Sequence, residues 1–269
     1  MRVTASGLVV AGLLTAVSAC TAAGPPKADA PAPAPTSAER PAPASPAASP
    51  AASPGTGTSA GTGAPALTPD QAQAALIGES DLGVPWTAAD GTATWHDGLL
   101  KATTGQPGCQ RLLEALYTDE LLGAPAGPQA VTALDDGDDA AQLRYQVDAS
   151  RSADVDRTLA WLRTLPSACA QFTAQTTAAG TEAVQVADAG LRDFGDARQG
   201  LRITLTAQPS AADAPTTLTL DVAVVRVGDD AIVLTAGALG TLPDDTTGQA
   251  LDIGVQRLAQ VREQGRAQA

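Results

Sequence analysis

The sequence predicts an α+β fold in which a mostly antiparallel sheet is flanked by helices and preceded by a disordered tether. One observation is that the strand-like segments late in the chain follow one another through short turns, without helices between them. Another is a change of composition near residue 67, before which Ala, Pro, Ser, Thr and Gly predominate. Residues 67–269 suffice for one domain with a single core.

The first residues have the anatomy of an export signal. Met1 and Arg2 give a positive start, and residues 8–17 form an apolar segment too short to span a bilayer comfortably. The segment ends in Val-Ser-Ala-Cys at 17–20, which resembles the lipobox of bacterial lipoproteins. We expect residues 1–19 to be a signal peptide and Cys20 to be lipidated. The alternative is an ordinary secretory signal that is cut at a nearby small residue, with Cys20 incidental.

Residues 20–66 are expected to form a disordered tether, because they have almost no branched or aromatic side chains with which to build a core. The formal net charge of −13 argues against a nucleic-acid partner, which would need clustered Lys and Arg. It also argues against electrostatic adhesion of the domain to anionic lipid. The predicted contact with the membrane is therefore the lipid anchor alone, at the extracytoplasmic face of the cell membrane.

The single domain predicted for residues 67–269 begins with short elements. Thr68 and Pro69 provide a cap and a first helical residue, and that helix is expected to run to about Ile77. Residues 93–101 are interpreted as a short strand carrying Trp95, and a second helix is expected to begin near Cys109.

The middle of the domain predicts a hairpin and a helix. Residues 129–134 and 141–149 alternate like strands around an acidic turn at 135–139. Ser152 is the expected cap of a third helix, in which Val, Leu, Leu and Leu recur at helical spacing from 155 to 165.

The second half is predicted to be mostly sheet. Strands are expected at residues 181–186, 201–207, 217–227 and 231–236, because these segments are rich in Val, Ile, Leu and Thr. A final helix over residues 246–262 would bury an apolar stripe.

Two cysteines remain in the domain once Cys20 is assigned to lipid. Cys109 and Cys169 can pair in only one way, and disulfides persist in an exported chain. The alternative, a metal or redox site, has little support, because neither cysteine belongs to a C-x-x-C motif and the chain has one histidine.

Several short motifs carry a family resemblance. They are residues 76–77 with 81–86, the spaced Cys109 and Cys169, residues 191–196, and residues 225–228. Together they resemble actinobacterial sensor-type lipoprotein domains, which are similar to the extracellular sensor domain of the mycobacterial serine/threonine kinase PknH. The resemblance implies a helix-flanked antiparallel sheet with a cleft for a small ligand. That sensor has a second disulfide that this chain cannot form, and no kinase domain is present here.

No catalytic residue, metal site or cofactor is predicted. His96 is the one histidine and lies at what we interpret as the end of a strand. A Ser-His-Asp or Cys-His site would have to use it. The acidic residues at 135–139 lack the spaced oxygens and the distal Glu of an EF-hand, so a solvated turn is the better interpretation.

Four arginines stand out in this acidic domain as candidate ligand-binding residues: Arg192, Arg198, Arg202 and Arg226. Guanidinium groups can clamp a carboxylate or phosphate. The alternative is local ion pairing, since Arg192 and Arg198 flank Asp193 and Asp196.

The function predicted from sequence is a membrane-anchored cell-envelope lipoprotein whose non-catalytic domain binds a small ligand or an envelope protein. A lipid or glycolipid carrier is the first alternative and would need a deep apolar cavity. A cell-wall hydrolase working from a pair of carboxylates is the second, because such pairs are recognised by their spacing in three dimensions.

Overall fold

The computed structural model describes residues 66–137, 140–208, 215–243 and 245–268. Within them we number five α-helices in chain order: α1 (Pro69–Ala74), α2 (Glu79–Leu82), α3 (Pro107–Tyr117), α4 (Ser152–Ala168) and α5 (Thr246–Gln268). The predicted signal peptide, Cys20 and almost all of the predicted tether lie outside the described residues, as do Asp138, Asp139 and Asp244.

Nine strands of the described residues form one sheet: β1 (Thr87–Ala88), β2 (Ala102–Thr103), β3 (Gln129–Asp136), β4 (Ala141–Ala149), β5 (Gln171–Thr176), β6 (Gly180–Asp188), β7 (Ala197–Ala207), β8 (Thr217–Val227) and β9 (Asp230–Leu239). Their order across the sheet is β1-β3-β4-β9-β8-β7-β6-β5-β2, and all neighbours are antiparallel. The predicted α+β fold is confirmed.

Each face of the sheet buries its own set of apolar side chains. On the first face α4 lies over β6, β7 and β8 with α3 beside it, and Leu159 belongs to the same buried cluster as Leu201. On the second face α5 lies over β8 and β9, and Leu251 belongs to a cluster with Tyr145. Burial of this kind stabilises a fold by roughly 25 cal/mol per Å² of apolar surface.

Helix α5 is fixed to the sheet and to the first helices by specific contacts. The Arg257 guanidinium donates two hydrogen bonds to the Asp81 carboxylate, of 2.8 and 2.6 Å. A side chain at Gly254 would place its Cβ 2.3 Å from the Tyr145 hydroxyl, so only glycine lets the helix approach this closely. Beyond the start of α5 the second face is open, and Thr173, Gln185 and Arg202 are exposed.

A disulfide joins the start of α3 to the end of α4. Cys109 and Cys169 are bonded, with their Cα atoms 5.7 Å apart, and both side chains are buried. The two helices that cover the first face are therefore held together covalently.

The strand predicted at residues 93–101 is wrong. His96–Leu100 forms a single π-helical turn, and only Ala102–Thr103 pairs with the sheet. Leu99 and Leu100 are both buried. Consecutive side chains of a strand point to opposite faces, so a strand that is covered on one face only could not bury both of them.

Three helix boundaries also differ from expectation. Helix α5 continues to Gln268, beyond the predicted end at residue 262. The first helix ends at Ala74 and not near Ile77. Helix α4 contains Ser152 as its first residue, and Arg151 occupies the cap position. No described helix is both long enough and apolar enough to cross a membrane.

Candidate ligand-binding cleft

A cleft of about 390 Å³ lies where α5 begins and the open part of the second face starts. Three segments line it: the loop between β6 and β7 at residues 189–192 and 194, the middle of β7 and β8, and the chain at the start of α5 at residues 241–243 and 245–248. We call it the α5 cleft. Its volume lies within the range of small-molecule sites.

A glycine in the sheet positions the loop that forms one wall. A Cβ at Gly200 of β7 would lie 2.6 Å from the Leu191 side chain. Because Gly200 has no side chain, Leu191 packs directly on the strand and holds the loop against the sheet.

The floor of the α5 cleft is an ion pair between neighbouring strands. The Arg202 Nε and Nη2 atoms donate to the two oxygens of Asp221, both at 2.7 Å. These hydrogen bonds raise the pKa of the Arg202 guanidinium above its usual value. Asp221 is buried, and the Thr247 hydroxyl of α5 also donates to it at 3.4 Å. The Arg202 side chain remains 55% exposed, so its other N–H groups are accessible from the cleft.

A second arginine, Arg192, lies on the loop that forms one wall of the cleft. Arg192 Nη2 donates to Asp252 of α5 at 2.8 Å, and the guanidinium carbon lies 5.3 Å from the centroid of the Phe194 ring. A Cβ at Gly248 would lie 3.1 Å from Arg192 Nη2, so the missing side chain leaves room for the guanidinium over the first turn of α5.

The structure divides the four predicted arginines into two groups. Arg192 and Arg202 line the α5 cleft, whereas Arg198 and Arg226 do not. Arg198 binds the Asp193 carboxylate, and Arg226 Nε donates to Asp156 at 2.9 Å. All four therefore have a carboxylate partner. The role of these arginines in ligand binding stays a prediction.

Sequence reasoning missed Asp221, although the sequence contained a signal for it. This residue is the one charge between positions 217 and 225, a segment otherwise made of Thr, Leu, Val and Ala. An acid in the middle of a buried strand requires a partner.

The chain has a distant likeness to a solved structure. No known protein-family profile and no curated protein matches the chain. A solved structure of the extracellular domain of PknH from Mycobacterium tuberculosis matches with 13% identity over 75% of this chain and 100% of that domain, with a TM-score of 0.43. The sequence motifs described above resemble sensor-type lipoprotein domains that are similar to this PknH domain. At this TM-score the likeness carries no inference about function.

The character of the α5 cleft favours binding of a polar molecule over binding of a lipid. Its lining mixes guanidinium, carboxylate and hydroxyl groups with a few apolar side chains, whereas a lipid carrier needs a deep apolar cavity.

His96 has structural partners on both ring nitrogens. Its Nδ1 atom lies 2.9 Å from the Asp97 carboxylate, and its Nε2 atom lies 3.1 Å from the Tyr117 carbonyl oxygen. The imidazole also stacks on the Tyr117 ring with centroids 5.0 Å apart. These contacts fix the loop before α3 on the end of that helix.

Proposed function

We propose that this protein is a lipid-anchored protein of the cell envelope whose domain binds a small polar ligand in the α5 cleft and does no chemistry on it. The observation that carries the proposal is the half-exposed Arg202 guanidinium on the cleft floor. Its bidentate pair with the buried Asp221 fixes the group in place, and its remaining N–H groups are free to donate to a ligand.

The chemistry of the lining indicates the class of ligand. Arg192 and Arg202 offer donors suited to a carboxylate or phosphate on the ligand. Leu191, Phe194 and Leu242 offer apolar contact beside them. The cleft therefore suits a small molecule that carries an oxyanion next to an apolar group.

We expect Arg192→Gln to reduce retention of the native ligand at least about ten-fold, because a hydrogen bond to a charged group contributes about 1.5–3 kcal/mol. The fold should survive, since the exposed pair with Asp252 contributes little to stability. Native mass spectrometry of the full-length protein from its own host gives the fraction that carries a retained molecule. Arg266→Gln, on the exposed end of α5, is the charge-matched control and should retain it fully. Equal occupancy in both variants would exclude this cleft.

The anchor has its own test. Cys20→Ala is expected to release the protein from membranes or to leave an uncut precursor, because the thiol that accepts lipid is gone. Two or more acyl chains hold a protein stably on a bilayer, and the variant would carry no acyl chain. Fractionation of cells, with globomycin treatment of the wild type, measures the outcome. Normal processing and retention of the variant would show that Cys20 is not the anchor.

A further inference from the structure

A second depression, of about 340 Å³, lies on the other side of the sheet from α5, against helices α3 and α4. Its walls are the first half of α4, Arg111 of α3, and residues 122–126 of the chain that follows α3. We call it the α3–α4 pocket. It shares no lining residue with the α5 cleft.

One guanidinium in this pocket is held by an aromatic ring. The guanidinium carbon of Arg111 lies 3.9 Å from the centroid of the Trp161 ring. Among the described residues no carboxylate forms a salt bridge with Arg111, unlike the arginines of the α5 cleft. A guanidinium stacked on indole keeps its N–H groups in the plane of the stack, where they can donate to an oxyanion.

Two further guanidinium groups share one carboxylate. Arg151 Nε lies 2.8 Å from Asp154 Oδ2, and Arg157 Nη1 lies 3.0 Å from Asp154 Oδ1. Both arginine side chains are about three-quarters or more exposed. A single carboxylate thus holds two cations at the mouth of the pocket without using all of their donors.

The floor carboxylate is already satisfied by neutral donors. Asp148 accepts hydrogen bonds from Gln129 Nε2 at 2.8 Å and from Gln146 Nε2 at 2.7 Å, and it is buried. The pocket therefore contains three guanidinium groups against two carboxylates, whereas the lining of the α5 cleft has Arg192 and Arg202 against Asp221 and Asp245. A net positive pocket on a chain of charge −13 concentrates anions locally.

We propose that the α3–α4 pocket binds a phosphoryl group through Arg111, Arg151 and Arg157. Three guanidinium groups, one on α3, one on α4 and one at the residue before α4, match the several oxygens of a phosphoryl group better than they match the single carboxylate of a peptide. The phosphoryl group has two sources that share this chemistry: a free phosphate compound or the headgroup of a lipid. The site is independent of the α5 cleft and of its ligand.

The first test is titration calorimetry of the full-length protein with inorganic pyrophosphate at low ionic strength, and separately with glycerophosphoglycerol, the water-soluble headgroup of phosphatidylglycerol. Arg111→Gln is expected to weaken binding of the preferred probe about ten-fold. Arg163→Gln is the matched control, because Arg163 lies on α4 outside the pocket and its one described bond is to the Arg198 carbonyl. Tighter binding of pyrophosphate would identify a free compound as the source, and tighter binding of the headgroup would identify lipid.

The second test uses a variant that gains affinity, which an unfolded protein cannot do. Asp154→Asn removes the carboxylate that competes for Arg151 and Arg157, and we expect it to tighten binding several-fold. Asp156→Asn removes the same charge two residues away. Asp156 pairs with Arg226, which lies outside the pocket, so this variant should have little effect on binding.

Three results would overturn the proposal: no binding of either probe, binding that Arg111→Gln leaves intact, or equal gains in the two aspartate variants. Binding abolished by Arg192→Gln instead would place the anion in the α5 cleft. That outcome would leave the proposed function standing and remove this second site.

Discussion

Replacing Cys109 and Cys169 together by alanine is expected to lower the free energy of unfolding by about 4 kcal/mol. The disulfide closes a loop between positions 60 residues apart, and most of its effect comes from the chain entropy removed from the unfolded state. Both residues are buried in the cluster beneath α3 and α4, and alanine places no new polar group there.

Urea unfolding of the two proteins measures this loss, and a reducing agent supplies the control. Reduction should destabilise the wild type by a similar amount and leave the alanine variant unchanged. A difference below about 1 kcal/mol, well under the usual 2–4 kcal/mol, would show that the disulfide contributes little to stability.

Glu182→Gln is expected to stabilise the protein by about 3 kcal/mol above pH 8 and to have no effect near pH 4. The Glu182 side chain is fully buried in β6, and among the described residues neither of its oxygens has a hydrogen-bond partner. Burial alone raises the pKa of this carboxyl from 4.5 to about 7.

The sign of the pH effect follows from the two states. Below pH 4.5 the carboxyl of Glu182 is protonated in both the folded and the unfolded chain. Between about 4.5 and 7 the unfolded chain releases the proton while the folded chain keeps it, so wild-type stability falls as pH rises. Above about 7 the loss is complete. Glutamine cannot ionise, so the variant lacks this dependence.

Thermal or urea unfolding of both proteins across pH 4 to 8.5 checks the prediction. Burial also raises the pKa of Asp230, to about 6, but that contribution is common to both proteins and cancels in the difference. Glu120→Gln, at an exposed position after α3, is the control and should follow the wild type. Parallel curves for wild type and Glu182→Gln would contradict the prediction.

The hairpin and the long strands could be predicted because local signals and tertiary packing agree there. Residues 129–134 and 141–149 alternate on either side of a turn, and the structure pairs Leu134 with Leu143 across the hairpin. The predicted solvated turn is wrong at Asp135 and Asp136, because both lie in β3 and Asp136 is buried. The strands predicted at 181–186, 201–207 and 231–236 lie within β6, β7 and β9, and that predicted at 217–227 is β8.

Strand β5 could not be recognised because its pattern is weak. Phe172 and Ala174 are its buried residues, and they alternate with Gln and Thr that a loop would also contain. Its place in the sheet comes from pairing with β6, which the sequence does not display. The π-helical turn at His96–Leu100 was missed because it too depends on tertiary packing, in which Trp95, Leu99 and Leu100 are all buried.

The α5 cleft could be predicted only in part. The arginines were recognisable as the right chemical type, but which of them converge depends on strand order. Arg202 meets Asp221 because β7 and β8 are neighbours, and Arg192 reaches Asp252 because α5 folds back over the sheet.

The burial of Glu182 did carry a signal in the sequence, since Glu182 shares one face of β6 with Val184 and Val186.

The pairing of β4 with β9 determines how the sheet can assemble. Strands β3 and β4 are joined by a short turn, and β5 to β9 follow one another as a meander, so each group can form from local contacts. In the sheet the two groups meet along the β4–β9 pairing, which runs from Ala141 with Ala238 to Ala149 with Asp230. That meeting closes a loop containing α4 and four strands, and loop entropy opposes it until the β4–β9 hydrogen bonds form. We therefore expect docking of the β3–β4 hairpin on the meander to limit the folding rate, and substitutions that disrupt the β4–β9 pairing to slow folding.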